Sequence, residues 1–428
     1  MATGIFDLGR RLAAICGPRF AREAGAADTV AGVPARFVAA PGTVEAVSAI
    51  LRLAADARLA VVVRGAGTKL DWGAPPARLD LLLDTGRLAG VWHRAPGEPV
   101  VEVGAGTPVR AVEAALDRQG QRLPLDPPSI GATLGGVVAA DEAGPLRQRY
   151  GTPCEQLLGV SYVDADGRLH HAEGFGMREP DGPGIDRLLC GSQGALAVLV
   201  SATFRVHAAP SGQLWVGRSV WTPLEVHDLV NQVLAASLDP SAIEVDLPAH
   251  RAALVPRQRS RQGPGTLALL LEGPNADVVE RADRLITVLR GDARALEGSP
   301  RWWHRYPFDV GEVAVRLEVP ITDLHVAIYA LRDAVGGPVP VRGSAGIGVV
   351  RAALPSSLSA ERVDAILAAV RGVLLFRGGR CVVTAAPPAV AREIDLWGQV
   401  PALPTLREAK ERFDPAGRLA PGRYVGGL

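Results

Sequence analysis

Hydrophobic and polar positions follow two different patterns along the first half of the chain. Residues 43–57 and 108–119 carry apolar side chains at three- and four-residue spacing, which predicts two amphipathic helices. Thr43 and Thr107 suit helix N-caps, and Gly120 suits a helix end. Short apolar runs predict buried strands at 59–63, 79–85 and 100–106. The region up to about residue 210 is therefore predicted to be an α+β domain with Gly-rich turns.

A second rhythm begins near residue 211. Strands and amphipathic helices alternate nearly twice over, in the order typical of ferredoxin-like α+β layers. The predicted strands are 266–273, 312–320, 381–385 and the runs PVPVRG and IGVVRAAL, and the predicted helices are 275–290, 321–335 and 359–371. We predict four parts: a helical N-terminal segment (1–32), a first domain (33–210), a ferredoxin-like domain (211–390) and a C-terminal return segment (391–428).

Charge and cysteine content exclude several classes of protein. The 428 residues include 46 basic and 45 acidic side chains, and this balance argues against a nucleic-acid binder with a basic face. The cysteines form no CxxC pair, which predicts reduced thiols in a cytoplasmic protein, without zinc or iron–sulfur ligands. They are Cys16, Cys154, Cys190 and Cys381. No uncharged stretch reaches the ~20 residues of a membrane helix.

Of the 49 glycines, the most informative lie in a few loops. In VVVRGAGTKLDWG (61–73), a predicted strand runs into a loop whose backbone N–H groups suit a pyrophosphate. The dinucleotide motif GxGxxG is broken at Leu70, the residues that follow cannot start a helix, and no GxxxxGK[ST] motif is present. A plain turn remains the alternative for this loop taken alone.

Three further glycine clusters follow in order. LPLDPPSIGATLGGVVAAD (123–141) places small side chains where a flat ring or a phosphate can approach the backbone. GPLRQRYG (144–151) and GSQGALAVL (191–199) continue the series. Together the four clusters indicate a dinucleotide site.

In this order the clusters resemble the FAD-binding domain of the p-cresol methylhydroxylase/vanillyl-alcohol oxidase type. The KLDWG and LPLDPP runs are most similar to the FAD-binding subunit of glycolate oxidase, and KERFDPAGRLAPGR (410–423) is similar to the closing segment of that family. The resemblance is strong over 33–210, clear over 391–428, and limited to the layout in between. It implies an α+β fold with a two-part FAD-binding domain and a ferredoxin-like cap.

The resemblance also implies which residues bind FAD. Backbone and hydroxyl donors of the first loop would meet the pyrophosphate, with Arg64 and Lys69 offsetting its charge. The implied cofactor-binding residues are Arg64, Gly65, Ala66, Gly67, Thr68, Lys69, Pro127, Ser129, Gly131, Ala132, Thr133, Gly135, Gly136, Gly191, Gly194, Ala197 and Val198. No histidine lies near these loops, so we expect non-covalent FAD. The only lysines, Lys69 and Lys410, lie in the first loop and the closing motif, which suggests that both segments are constrained.

One segment departs from the family pattern. Just before GSQG, relatives carry K-N-x-x-G-Y-D-x-x-[RK]-L, whereas residues 178–188 read REPDGPGIDRL. Only Gly182, Arg187 and Leu188 match, and in the family this segment lies beside the flavin. The sequence provides no candidate for a catalytic base. His170 and His171 are expected at a surface hairpin tip, and Arg316, Arg342 and Arg351 either face a ligand or lie on a solvated sheet face.

Two functions follow from the resemblance. The first is an FAD-dependent oxidoreductase that oxidises a small 2-hydroxy acid, with flavin as hydride acceptor, and passes electrons to a partner. The second is a non-catalytic FAD-binding subunit that supports a catalytic flavoprotein, as the departure at 178–186 suggests. A second FAD-containing subunit and an iron–sulfur subunit are the implied partners, with possible attachment to a membrane through the complex. A third, less favoured class is a flavin-free interaction module.

Overall fold

The computed structural model describes residues 2–94, 99–173, 184–249 and 264–428. The helices are α1 (Ala2–Cys16), α2 (Val44–Asp56), α3 (Val109–Asp117), α4 (Leu134–Ala140), α5 (Arg147–Tyr150), α6 (Pro153–Gln156), α7 (Ile185–Leu189), α8 (Pro223–Ala235), α9 (Asn275–Leu289), α10 (Leu324–Val335), α11 (Ala360–Leu375), α12 (Pro388–Ala391) and α13 (Leu403–Phe413).

The strands of the described residues range from two to nine residues in length. They are β1 (Ala21–Glu23), β2 (Thr29–Val30), β3 (Val33–Pro34), β4 (Phe37–Ala39), β5 (Val61–Arg64), β6 (Leu81–Asp84), β7 (Val91–His93), β8 (Val100–Gly104), β9 (Gln121–Arg122), β10 (Leu157–Val163), β11 (Leu169–Glu173), β12 (Val198–Arg205), β13 (His207–Ala208), β14 (Gly212–Val220), β15 (Ala242–Leu247), β16 (Gly265–Gly273), β17 (Arg294–Leu296), β18 (Val313–Glu318), β19 (Val341–Ser344), β20 (Val349–Leu354) and β21 (Arg380–Ala385).

The described residues form two compact units that are interleaved along the chain. The first unit takes the residues up to Ala143, then Gly151–Ala209 and Val400–Leu428. The second takes Gly144–Tyr150 and Pro210–Gln399. Residues 144–150, which the sequence analysis grouped with 33–210, therefore belong to the second unit.

The first sheet of unit 1 has the order β1-β4-β6-β5. Strands β4, β6 and β5 are parallel, whereas β1 pairs antiparallel to β4. The predicted helix at 43–57 is confirmed as α2: the Thr43 side chain accepts a hydrogen bond from Ala46 N at 3.2 Å, and the apolar face of the helix is buried against this sheet. The predicted helical segment 1–32 is only partly helical, because α1 gives way to Gly17, whose φ of +89° favours glycine.

The second sheet of unit 1 is antiparallel, with the order β11-β10-β12-β8-β7. Helix α4 packs against β8 and β12, and Leu134, Val137 and Val138 of this helix are fully buried. Burial of three such side chains contributes roughly 5–9 kcal/mol of hydrophobic free energy, before entropy is counted. Helix α4 is thereby fixed on the sheet although it has only seven residues.

The buried Lys410 ammonium fastens the C-terminal segment into unit 1. Lys410 Nζ lies 2.8 Å from Asp414 Oδ2 and donates to the carbonyl oxygens of Ala195 (2.8 Å) and Leu419 (2.7 Å). Burial lowers the pKa of the Lys410 ammonium, and the Asp414 carboxylate opposes this effect. The segment also pairs with β5, because Val61 N donates to the carbonyl oxygen of Arg418 at 2.8 Å.

Unit 2 consists of two β-α-β-β-α-β halves joined edge to edge. Its eight strands have the order β17-β14-β16-β15-β19-β20-β18-β21, and all neighbours are antiparallel. Strands β14 to β17 form one ferredoxin-like half, β18 to β21 form the other, and β15 pairs with β19 at the seam. Helices α9, α8, α10 and α11 pack side by side in that order. The predicted ferredoxin-like rhythm is confirmed.

The Lys410 ion pair generates a stability prediction. Replacing Lys410 with Met leaves the Asp414 carboxylate buried without its cation, so we expect the free energy of unfolding to fall by about 3–5 kcal/mol. Chemical denaturation followed by circular dichroism measures this loss. The matched control is Arg407→Met, at an exposed position of the same helix, where a change within ±0.5 kcal/mol is expected. Equal stability of the two variants would contradict the assignment.

Candidate functional site

The first element of the candidate site is the loop that follows β5. We call residues 65–69 the nest loop. Gly67 has a φ of +78°, which favours glycine. Within the described part of the chain, the backbone N–H groups of Ala66, Gly67 and Thr68 have no hydrogen-bond acceptor. Successive free N–H groups of this kind bind anions, and phosphate oxygens above all.

A buried hydroxyl lies beside the nest loop. The Cβ atom of any other residue at position 65 would lie 2.1 Å from Thr133 Oγ1, so only glycine allows this approach. Thr133 Oγ1 is buried and, among the described residues, has no hydrogen-bond partner. A buried hydroxyl in a native protein normally has a partner, so this hydroxyl points to a missing acceptor.

The second glycine cluster leads from Ser129 into helix α4. Gly131 has a φ of +79°, and Ala132 N donates to the carbonyl oxygen of Ser129 at 3.2 Å. Gly135 packs so tightly on the backbone of Ala105 that an added Cβ would lie 2.7 Å from the Ala105 side chain. This segment runs from Pro127 to Gly136 and contains Thr133. Because Thr133 lies beside Gly65, the predicted residues at 127–136 lie next to the nest loop.

The cluster at 191–194 is tied to helix α4. Gly191 N donates to the carbonyl oxygen of Val138 at 2.9 Å, and Gln193 N donates to that of Ala139 at 2.7 Å. Gly194 has a φ of +74°, and an added Cβ there would lie 3.5 Å from the Val63 side chain of β5. Ala197 and Val198 are buried in the core of unit 1, so only their backbone remains available to a ligand.

Both predicted cations of the nest loop have carboxylate partners. Arg64 Nε donates to Asp84 Oδ2 at 2.9 Å, and Arg64 Nη1 lies 3.2 Å from Asp28 Oδ1. Hydrogen bonds from the guanidinium groups, that of Arg22 first, hold the pKa of Asp28 well below its usual value. Lys69 forms an ion pair with Glu142. The positive potential of the loop therefore comes mainly from its N–H groups.

Several predicted features lie away from the nest loop or outside the described residues. His170 and His171 lie within β11 rather than at the hairpin tip, and His170 Nε2 is 2.8 Å from Asp164 Oδ2. Of the divergent segment 178–188, residues 178–183 lie outside the described residues. In the part of the chain that is described, no group of three or more His, Cys, Asp or Glu side chains could hold a metal ion. In that same part, no helix is long and apolar enough to cross a membrane.

The three arginines form a row on one face of the unit 2 sheet. Arg342 lies opposite Arg351, and Arg351 lies opposite Arg316, on adjacent strands. Arg342 Nε donates to Asp246 Oδ1 at 2.8 Å, and Arg316 Nη2 donates to Glu318 Oε2 at 2.9 Å. The Arg351 guanidinium carbon lies 5.0 Å from the centre of the Tyr306 ring. Arg351 Nε is buried and has no hydrogen-bond partner among the described residues.

Sequence reasoning missed two features of the site. The motif GAGT occurs at 65–68 and again at 104–107, and the second copy supplies Ala105, on which Gly135 packs. The repeated motif was a usable signal. Glu142 was also missed, although its side chain is only 2% exposed and it binds both Lys69 and Ser129. No sequence pattern marks this position.

The geometry fits an anionic dinucleotide such as FAD. Among the described residues of unit 1, backbone N–H groups and one hydroxyl group have no hydrogen-bond partner. They lie beside Gly65, where a Cβ atom would have no room. Comparison with known proteins identifies the same cofactor, since residues 35–173 match the family model described as FAD binding domain.

The curated relatives include a dehydrogenase, an oxidase subunit and an FAD-linked oxidoreductase. The chain is 34% identical over 169 residues to D-lactate dehydrogenase of Archaeoglobus fulgidus, covering 40% of this chain and 38% of that protein. It is 31% identical over 185 residues to glycolate oxidase subunit GlcE of Escherichia coli, covering 43% of this chain and 51% of that protein. The matches thus span about half or less of these two relatives. An uncharacterized FAD-linked oxidoreductase of Mycobacterium tuberculosis is 24% identical over 91% of both chains.

Solved structures share the whole architecture. p-Cresol methylhydroxylase with substrate bound has a TM-score of 0.74 at 14% identity, covering 98% of this chain and 96% of that chain. An alkyldihydroxyacetonephosphate synthase has a TM-score of 0.69 at 17% identity, covering 97% and 84%. These likenesses confirm the predicted fold class. Residues 35–173 therefore match an FAD-binding domain, and the chain has the fold of p-cresol methylhydroxylase.

Proposed function

We propose that this chain is a cytoplasmic FAD-dependent oxidoreductase that oxidises a small 2-hydroxy acid. The observation that carries the proposal is the nest loop with the Thr133 hydroxyl beside it, inside a domain that matches an FAD-binding family. Bound FAD supplies a hydride acceptor. The names of the relatives, D-lactate dehydrogenase and glycolate oxidase subunit, support 2-hydroxy acids as the substrate class.

In this proposal, backbone groups hold the diphosphate. Ala66, Gly67 and Thr68 donate their N–H groups, and Thr133 donates its hydroxyl proton. Because these donors are fixed by the fold, little conformational entropy is lost on binding. Gly131 and Gly194 adopt positive φ without side chains of their own, and Gly135 allows helix α4 to pack on Ala105.

Within unit 2, the arginine row is a candidate binding site for a carboxylate. Arg342 and Arg316 are paired with Asp246 and Glu318, so Arg351 is the member whose charge is least compensated. Its Nε has no partner among the described residues, and Tyr306 lies against its guanidinium. A guanidinium fork binds a carboxylate through two parallel hydrogen bonds.

A second function is favoured by the similarity to glycolate oxidase subunit GlcE together with the divergent segment 178–188. In that case the chain holds FAD but supports a separate catalytic flavoprotein, with an iron–sulfur protein as a further partner. The chain also matches glycolate oxidase subunit GlcD, at 28% identity over 259 residues, so two subunits of one complex resemble it.

Anaerobic addition of glycolate or D-lactate to the purified holoprotein separates the two functions. Bleaching of the flavin would support the oxidoreductase function. An unchanged flavin spectrum would support the non-catalytic FAD-binding subunit.

The nest loop generates a binding prediction. Gly65→Val should raise the dissociation constant for FAD roughly 10- to 100-fold, because the added carbons overpack against Thr133 and displace the loop. Titration of the apoprotein with FAD, followed by flavin fluorescence, measures this change. Gly298→Ala is the control, since a Cβ at Gly298 meets no atom within 4 Å. Wild-type affinity in Gly65→Val would exclude the nest loop as the diphosphate site.

The arginine row generates a binding prediction. Arg351→Met should raise the dissociation constant for a 2-hydroxy acid about 10- to 100-fold, the effect of losing a charged hydrogen bond. Isothermal titration calorimetry measures this change, and FAD affinity should stay constant. Arg392→Met, at an exposed position of unit 2, serves as the control. Equal dissociation constants in the two variants would exclude Arg351 as the carboxylate-binding residue.

A further inference from the structure

A buried polar cluster ties together the segments that carry the FAD site. Lys69 Nζ donates to Ser129 Oγ at 2.5 Å and forms an ion pair with Glu142. The Ser129 hydroxyl donates to Glu142 Oε1 at 2.7 Å, and Ser129 N donates to the same oxygen at 3.1 Å. We call these three residues the Glu142 clamp. It joins the nest loop, the turn before Thr133 and the end of helix α4.

The hydrogen-bond donors of the clamp determine what these residues can offer a ligand. The Ser129 hydroxyl has one proton, and that proton goes to Glu142. It therefore cannot also donate to a phosphate oxygen. The Lys69 ammonium is held by Ser129 and Glu142, and it lies 4.7 Å from the centre of the Trp72 ring. The ammonium therefore has both an uncharged and a charged acceptor within the protein.

Burial makes the clamp strongly coupled. The Glu142 side chain is 2% exposed and that of Lys69 is 18% exposed. A carboxylate at this depth is stable only with its cation and its hydrogen-bond donors in place. Loss of the charge on Glu142 or on Lys69 is therefore expected to change the positions of the other two clamp residues.

The clamp acts on the cofactor site through the backbone. Glu142 fixes Ser129 at both N and Oγ, and the Ser129 carbonyl accepts from Ala132 N at 3.2 Å. Ala132 directly precedes Thr133, whose unpartnered hydroxyl lies beside Gly65. The position of Thr133 relative to the nest loop thus depends on Glu142 and Lys69.

We infer that Glu142 and Lys69 are positioning residues of the FAD site, forming a neutral pair that sets the distance between the nest loop and Thr133. The inference rests on the proposed nest-loop site for FAD. It assigns Lys69 a role different from the one implied by the family resemblance, in which this cation offsets the charge of the pyrophosphate. The two roles make opposite predictions for Glu142.

The test is a double-mutant cycle on FAD affinity. If the pair positions the site, Glu142→Gln and Lys69→Met should each raise the dissociation constant for FAD about 10-fold or more, because each leaves one buried charge uncompensated. The double variant Lys69→Met/Glu142→Gln buries no net charge and should bind FAD more tightly than Lys69→Met alone. If Lys69 instead neutralises the diphosphate, Glu142→Gln frees the cation, and FAD should bind as tightly as in the wild type or more tightly.

Controls separate positioning from general loss of structure. Arg218→Met and Glu225→Gln break a comparable pair in unit 2, 3.1 Å apart with side chains 18% and 28% exposed, and should leave FAD affinity unchanged. Near-ultraviolet circular dichroism of each apoprotein reports folding. Should Glu142→Gln fail to fold, Ser129→Ala carries the test, with an expected rise of roughly three- to tenfold in the dissociation constant.

Each outcome decides the inference. Weaker binding in both single variants with recovery in the double variant supports it. Unchanged or tighter binding in Glu142→Gln overturns it, as does strict additivity of the two single effects. Wild-type affinity in Ser129→Ala also overturns it when the other variant is unfolded. If the wild-type protein takes up no FAD, the proposed function fails together with the inference, whereas binding by the wild type with an unaffected Glu142→Gln refutes the inference alone.

Discussion

One buried ammonium group determines how the parts of unit 1 meet. Lys410 joins the C-terminal segment to Ala195, which directly follows the 191–194 turn. The same segment pairs with β5, whose end opens into the nest loop. Because a buried cation tolerates few alternative arrangements of its acceptors, the turn and the loop are held in one geometry. Preorganised donors for an anionic ligand depend on this kind of rigidity.

The elements of the fold that apolar spacing along the chain determines were predictable from the sequence. Helix α2 and the second ferredoxin-like half follow directly from apolar spacing. Of the first half, only β16 and α9 were predicted. Strand β14 carries Arg218 and Ser219 among its apolar residues, and the short β15 carries two acidic residues, so neither forms an apolar run. Their places are fixed by pairing across the sheet, which spacing along the chain does not reveal.

The candidate site was predictable where glycine was obligatory. Gly65, Gly135 and Gly194 are required by close approach or by positive φ, and such positions leave a mark in the sequence. The partners of charged side chains leave no such mark. Lys69 was singled out by its position in the first glycine loop, but its partner Glu142 lies 73 residues further along the chain, and only the folded backbone brings the two together.

The interleaving of the two units has a consequence for biosynthesis. Unit 1 includes residues 400–428, which leave the ribosome only after all of unit 2 has been made. At about 5–20 residues per second, unit 1 waits on the order of 10–40 s for its last piece, while unit 2 is already able to fold. During this interval β5 lacks its C-terminal partner and Lys410 has not arrived. We therefore expect FAD to bind only after residues 400–428 have been made and have joined unit 1.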